Sequence, residues 1–224
     1  MAGRLYVVGT PIGNLEDITL RALRVLGEVA AIACEDTRQT IKLLNRYGIK
    51  KPLLSYFQPR EGQRIPESIG LLKEGRDVAL VSDAGTPGIS DPGFPLIREA
   101  IKEGLAVVPI PGPSAATAAL SAAGLPTHRF LFVGFPPPKT SGLRRVLEAL
   151  APENATLIFY LPTRKLSAFL IAVGEVLGDR RVVIARELTK IHEEFLRGSA
   201  SELAAAIGQR QLKGEATVLV EGAR

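Results

Sequence analysis

The chain has no tryptophan, one methionine, two histidines and a single cysteine in 224 residues. Cys34 cannot close an internal disulfide alone, and with only His128 and His192 beside it there is no ligand set of zinc spacing, so no metal site is expected. Long hydrophobic runs are also missing. Leu5–Val8, Val78–Val81 and Leu131–Val133 are each broken by Gly, Pro or charge, far short of the ~20 apolar residues that cross a bilayer. No apolar stretch precedes the strand-like run at Leu5, which predicts a chain without a secretory signal, working in the cytoplasm. Three catalytic or nucleotide signatures are absent: Gly-x-Ser-x-Gly, Gly-x-x-x-x-Gly-Lys-Ser/Thr and Gly-x-Gly-x-x-Gly. A serine-nucleophile elbow, a P-loop and a dinucleotide fingerprint are thereby excluded.

What is present argues for a folded α/β protein. Hydrophobic residues make up 46% and charged residues 23%, with a mean hydropathy of +0.17, enough apolar matter for a core and too little net charge for disorder. Short runs rich in Val, Ile and Phe alternate with helical-period segments, the pattern of largely parallel sheets. Strands are predicted at 4–9, 30–35, 53–56, 77–82, 105–110, 130–135, 155–160, 181–187 and 216–221. Helices are predicted at 17–27, 36–47, 63–74, 95–103, 114–123, 142–150, 164–177 and 200–211. Gly48, Gly75, Gly104 and Gly124 each follow a helical segment, where a left-handed residue costs glycine least. The Pro/Gly-rich turn 109–113 reads as a junction between an N-terminal domain, 1–112, and a C-terminal domain, 113–224.

Charge is placed unevenly. The first domain has net charge +1 and the second +4. More telling, no carboxylate lies between Asp36 and Glu61, while Arg38, Lys42, Arg46, Lys50, Lys51 and Arg60 do. Arg38, Lys42 and Arg46 fall at i, i+4, i+8 on one helix face, a stripe able to meet a phosphate backbone or simply to be solvated. A second carboxylate-free stretch, Arg129 to Leu147, holds Lys139, Arg144 and Arg145.

Candidate chemistry gathers at strand ends. Strand one runs into Gly9-Thr10-Pro11-Ile12-Gly13-Asn14, a tight turn whose backbone can face an anionic ligand. Strand four runs into Ser82–Pro95, fourteen residues with three Gly and three Pro; so long a loop in a compact α/β domain is more often functional than a plain connection. Its carboxylates, Asp83 and Asp91, can accept from a ligand hydroxyl or ammonium, or else cap local turns. Strand two ends in Cys34-Glu35-Asp36-Thr37-Arg38, where Asp36 reads first as a helix N-cap and Glu35 and Arg38 as surface groups open to a substrate. Strand five leads to Pro111-Gly112-Pro113-Ser114-Ala115-Ala116, with Ser114 placed to cap an Ala-rich helix. Tyr160, at the end of a later strand, suits either stacking on a ring or the core.

Taken together, Tyr6–Leu15 with Asp17-Ile18-Thr19, Glu35-Asp36-Thr37-Arg38, the Ser82–Gly93 loop, Pro111–Ala116 with Leu120–Pro126, Glu187-Leu188-Thr189-Lys190 and Lys213-Gly214-Glu215 resemble the tetrapyrrole-methylase-like S-adenosylmethionine (SAM) methyltransferases. Ser-Asp-Ala-Gly-Thr-Pro combined with Glu-Asp-Thr-Arg points to the branch that methylates the ribose 2′-hydroxyl of a cytidine in small-subunit (16S) rRNA. The resemblance implies two α/β domains, SAM folded into the cleft between them, no metal, and a homodimer formed through the C-terminal domain. Carried over by position, SAM would touch Thr10, Pro11, Asp83, Ala84, Gly85, Thr86, Pro87, Ser114, Ala115, Tyr160, Leu161, Arg186 and Ala216. Glu35, Asp36 and Asp83 become candidates for the proton acceptor, and the small ribosomal subunit would meet Arg38, Lys42 and Arg46 on the first domain. Two segments depart from the branch: Ser55–Glu61, where relatives commonly hold His, Asn or Glu, and Phe159–Lys165, where Phe-Tyr-Glu-Ser-x-His-Arg is usual. A methyltransferase for a tetrapyrrole or other small acceptor, and a non-catalytic RNA-binding or assembly protein, stand as alternatives.

Overall fold

The computed structural model describes residues 1–56, 61–208, 210 and 212–223, with the helical backbone alone at 61–63. Residues 57–60, including Arg60 of the basic run and most of the departing Ser55–Glu61 segment, lie outside the described residues, as do Gln209 and Gln211 at the end of the last expected helix. Two compact units divide the chain, Met1–Ser114 and Ala115–Arg224.

The first unit alternates strand and helix throughout: β1 (Arg4–Val8), α1 (Leu20–Glu28), β2 (Ala31–Cys34), α2 (Thr37–Arg46), β3 (Leu53–Ser55), α3 (Glu61–Lys73), β4 (Val78–Val81), α4 (Phe94–Lys102) and β5 (Ala106–Ile110). Its sheet has the order β3-β2-β4-β1-β5, and every pairing is parallel. Parallel strands are covered on both faces by their crossover helices, which is why β2 and β4 read as continuous apolar runs and are buried along their length. Side chains alternate between the two faces. Ile32, Cys34, Ala79 and Val81 pack with Ala22, Val25 and Leu26 of α1 and with Leu43 and Leu44 of α2. Ala33, Val78 and Leu80 face the other way, onto Ile69 and Leu72 of α3 and Leu96 and Ala100 of α4.

The helix boundaries follow local chemistry. Thr19 caps α1 by accepting the Ala22 N–H, and Asp36 caps α2 by accepting the Arg38 N–H. The expected start of the first helix at 17 is instead a separate short 3-10 turn, Leu15–Asp17, capped by Asn14. The four glycine stops, Gly48, Gly75, Gly104 and Gly124, all take positive φ.

The second unit comprises α5 (Ala115–Ala123), β6 (Phe130–Gly134), α6 (Thr140–Leu150), β7 (Thr156–Pro162), a 3-10 turn (Thr163–Lys165), α7 (Leu166–Leu177), β8 (Arg181–Arg186), β9 (Glu194–Ser199), α8 (Ala200–Gly208) and β10 (Glu215–Val220). Its sheet runs β6-β7-β10-β8-β9. Only β6 and β7 pair in parallel here; β10 inserts antiparallel between β7 and β8, and β9 folds back on β8. Among the eight pairings of the described residues five are parallel, so parallel geometry predominates across the chain while the second sheet is mixed. Strand β9 was not expected: Glu194, Arg197 and Gly198 interrupt its apolar residues, and its edge position leaves it half-buried. Phe159, Leu157, Ile184 and Val218 form this unit's core with Leu147 of α6, Phe169 and Leu170 of α7 and Leu203 of α8. Helix α5 packs against β8 and β10, and the Arg197 guanidinium donates to the carbonyls of Ala122 and Ala123 at its C-terminal end, where the helix dipole favours a cation. No helix among the described residues is long and apolar enough to cross a membrane.

Candidate functional site

Three loops of the first unit leave the carboxyl edge of the sheet from the neighbouring strands β4, β1 and β5, where open α/β sheets take their ligands. They are sewn together by backbone. Thr10 N–H donates to the Gly85 carbonyl at 2.8 Å, and Gly85 N–H returns a bond to the Thr10 carbonyl at 3.1 Å. The buried Thr10 hydroxyl donates within reach of two carbonyls, Ser82 at 3.1 Å and Gly85 at 3.3 Å. Between β1 and β5, Gly9 N–H donates to the Ile110 carbonyl. The two chains then pass so closely that a Cβ on Gly9 would lie 2.8 Å from the Gly112 Cα. Glycine at both positions is a requirement of this approach.

The acidic candidates meet one strand over. Asp83 Oδ1 accepts the Asp36 N–H at 3.0 Å, so the β4 loop holds the entry to α2. Asp36 in turn takes the Arg38 guanidinium, with Nη2 at 2.7 Å from Oδ2 and Nε at 3.1 Å from Oδ1. That side-chain bond, with the Arg38 N–H, brings the Asp36 pKa down to about 2. Asp83 moves the opposite way: partial desolvation and the Asp36 charge raise its pKa against the opposing Asp36 N–H and Arg38. Beneath them Cys34 is buried, its thiol pushed up by burial, which makes it an inert core group. Glu35 is half-buried beside this group.

On α2 the residues Arg38, Lys42 and Arg46 are all exposed. They are not equivalent. Arg38 spends its charge on Asp36, whereas Lys42 bonds the neutral Gln39.

In the second unit, Leu161, Ala216 and Arg186 stand in one register row across β7, β10 and β8. Leu161 and Ala216 are 3% and 4% exposed, and their side chains belong to the core of this unit. Arg186 is held by Glu194 at 2.8 Å. Tyr160 lies edge-on to Phe132 and Phe135, and its hydroxyl accepts the Ala116 N–H at 3.1 Å, at the start of α5 beside Ala115. Tyr160 thus also caps a helix from a strand of the same unit, a long-range bond that no local pattern signals. Glu187 and Thr189, named in the Glu187–Lys190 motif but given no role there, follow β8 at φ 50° and 64°. A β-branched residue held at positive φ is strained, and such strain concentrates at functional loops.

A family model described as Tetrapyrrole (Corrin/Porphyrin) Methylases matches residues 4–204. The chain belongs to the tetrapyrrole methylase family. The protein is therefore a methyltransferase, and SAM is the methyl donor the family implies. Among curated relatives, Ribosomal RNA small subunit methyltransferase I of Thermotoga maritima is 50% identical over 98% of this chain and 99% of its own length. The protein of the same name from Halalkalibacterium halodurans is 51% identical over 98% of this chain and 76% of its own. That from Escherichia coli O157:H7 is 49% identical over 98% and 78%. Of solved structures, a cobalt precorrin-4 methyltransferase matches with TM-score 0.71 and 17% identity over 97% of this chain and 94% of that one. A uroporphyrin-III C-methyltransferase from Thermus thermophilus matches with TM-score 0.68 and 24% identity over 98% and 94%. These two share the family's fold.

The residues present suit a SAM donor. SAM carries a sulfonium, an ammonium and ribose hydroxyls, all of which favour a carboxylate and accessible backbone. The first unit offers the solvent-facing Asp83 carboxylate beside Ala84 and Gly85. Gly85 itself is buried, with its N–H and carbonyl both bonded to Thr10, so the exposed groups of this turn are Asp83 and Ala84.

Proposed function

We propose that this protein transfers a methyl group from SAM to the 2′-hydroxyl of a cytidine ribose in the 16S rRNA of the small ribosomal subunit. The observation that carries the reading is the likeness, at about half of all positions and over nearly the whole chain, to relatives named for small-subunit rRNA methylation. The residues assigned to SAM divide between the units: Thr10, Pro11, Asp83–Pro87 and Ser114 in the first, and Ala115, Tyr160, Leu161, Arg186 and Ala216 in the second. Lys42 and Arg46, cations not matched to acids among the described residues, supply RNA contact from α2, with Arg38 contributing less because Asp36 holds it.

SAM supplies an electrophilic methyl group on a sulfonium, so the protein's task is alignment of the ribose oxygen and removal of its proton. Alignment is the larger share; a well-oriented intramolecular arrangement is worth roughly 7–11 kcal/mol of barrier. The rigid backbone pairing of Thr10 with Gly85 provides the fixed floor such alignment needs. For the proton, Asp83 is the better acceptor: its pKa is raised and one oxygen is not engaged by the Asp36 N–H, whereas both Asp36 oxygens bind Arg38 and its pKa is about 2. With SAM bound, the methyl group would pass to the ribose oxygen as its bond to sulfur breaks, leaving S-adenosylhomocysteine, and Asp83 or water would take the hydroxyl proton. The enzyme acts in the cytoplasm, where its subunit substrate resides, as a homodimer.

The test is calorimetric titration with SAM, then transfer of labelled methyl to purified small subunits and to free rRNA, with nuclease mapping of the labelled ribose. Label on a cytidine 2′-oxygen is expected. SAM binding with label on neither RNA substrate would defeat the RNA assignment, and label on a base would defeat the 2′-oxygen.

A further inference from the structure

We propose that Lys139, Arg164 and Lys213 form a second phosphate-contact surface for the acceptor RNA, on the C-terminal unit. The inference rests on the RNA reading above and adds a surface to it. Its basis is the strand directions. Strand β7 runs parallel to β6 and antiparallel to β10, and β10 runs antiparallel to β8. The chain after β6, after β7 and before β10 therefore meets at one edge of the sheet, and each of those three segments brings a lysine or arginine to it: Lys139, Arg164 and Lys213.

Hydrogen bonds hold the three segments side by side. Lys165 Nζ donates to the Pro138 carbonyl at 3.3 Å, joining the turn after β7 to the turn after β6. The Thr163 hydroxyl donates to the carbonyls of Leu212 and Gly214 at 2.9 and 3.0 Å, and Thr163 N–H to Gly214, joining the same turn to the segment before β10. Lys139, Arg164 and Lys213 are thus adjacent segments' side chains, and all three are exposed.

Ion pairing separates these cations from their neighbours. Arg186 and Arg210 share Glu194, Lys190 pairs with Glu187, and Arg144 pairs with Glu175. Those charges are matched inside the fold. Among the described residues no carboxylate pairs with Lys139, Arg164 or Lys213; of the acids at this edge, Glu187, which lies against Gly214, is held by Lys190, Glu194 is held by Arg186 and Arg210, and Glu215 is exposed. A surplus of unmatched, solvent-facing cations on a rigid frame is what a phosphate backbone recruits, each contact releasing counterions. The surface reads no sequence; it positions the strand, as phosphate contacts do.

The experiment measures binding of purified 16S rRNA by the full chain between 50 and 200 mM salt, with SAM binding followed by calorimetry. The variant Lys139→Ala/Arg164→Ala/Lys213→Ala is expected to lower the slope of log K against log salt by about 2 to 3, at roughly 0.7 to 0.9 per lost contact. RNA affinity should drop at least about tenfold at 100 mM salt on the same counterion-release scale, with SAM affinity unchanged. The control Arg144→Ala, which also removes one positive charge but a matched one, should leave the slope unaltered. An unchanged slope in the triple variant overturns the proposal, as does a change in the control of about one third of the triple variant's, which would reduce the effect to net charge. Loss of SAM affinity with RNA binding intact would reassign the three residues to the donor. If the unaltered protein binds no RNA, the RNA reading itself fails, an outcome distinct from a salt-dependent protein on which the triple variant has no effect.

Discussion

Adding one methyl group to Gly112 should disable the site without touching any charged residue. A Cβ there would sit 2.8 Å from the Gly9 carbonyl oxygen and 2.9 Å from both the Gly9 carbonyl carbon and Cα. All three are backbone atoms of β1's exit, which cannot swing aside as a side chain would. Ordinary contact begins near 3.4 Å, so the β1 and β5 loops must part by roughly half an ångström or more, and overpacking of this kind costs ~1–3 kcal/mol. For a chain of this size that is a fall in Tm of roughly 2–4 °C per kcal/mol. Because Gly9 adjoins the Thr10–Gly85 pairing, the displacement passes directly into the β4 loop, and SAM affinity should fall by more than an order of magnitude. Gly27→Ala is the matched control: its Cβ meets nothing within 4 Å, and replacing an exposed glycine inside α1 should stabilise by about 0.5–1 kcal/mol. Differential scanning fluorimetry and SAM titration decide the matter. A Gly112→Ala protein that melts and binds like the unaltered one would refute the argument that this crossing demands two glycines.

Three further outcomes follow from the geometry. Carboxyl carbon shifts followed by NMR during acid titration should place the Asp36 midpoint at about 2 and that of Asp83 above the ordinary 3.8. Stability drawn from Asp36 is complete above its unfolded pKa and disappears as pH falls from 3.8 toward 2, and Arg38→Ala should return the midpoint toward 3.8. Phe169→Ala should cost about 3–5 kcal/mol in urea unfolding, because the ring is 1% exposed and packs at 5.0 Å on Phe159; a loss under 1 kcal/mol would contradict the packing. Tyr160→Phe strands the N–H of buried Ala116 and should cost about 1–3 kcal/mol while leaving the aromatic cluster in place, measurable by the same unfolding curves.

Local chemistry made much of this molecule readable in advance. The apolar runs of β2 and β4, the capping position of Asp36 and the glycine stops depend on near neighbours in the chain, and each stands where its pattern puts it. What escaped the reading depends on distant partners. The antiparallel entry of β10 is decided by pairing across 55 residues or so to β7, and strand patterns do not encode direction. Edge strand β9 opens on Glu194, which pairs with both Arg186 and Arg210, so its sequence looks like a loop until those partners are placed. In the same way the stripe on α2 reads as three equal cations, and only the fold of the Asp36 cap shows that Arg38 turns back on its own helix. The acidic candidates were legible as types; the opposite pKa shifts of Asp36 and Asp83 came from Arg38, which reaches Asp36, and from the partial burial of Asp83.

The Thr10–Gly85 pairing bears on how this site tolerates change. Because the two strand exits are joined by main-chain bonds, the clasp itself does not depend on the side chains of Pro11, Ala84 or Thr86. Its two amide protons belong to one closed pair, so they should exchange with solvent together, in a single opening event, rather than one loop at a time. Variation along these loops is in that sense inexpensive to the fold, and the few positions that resist it are those where two backbones cross.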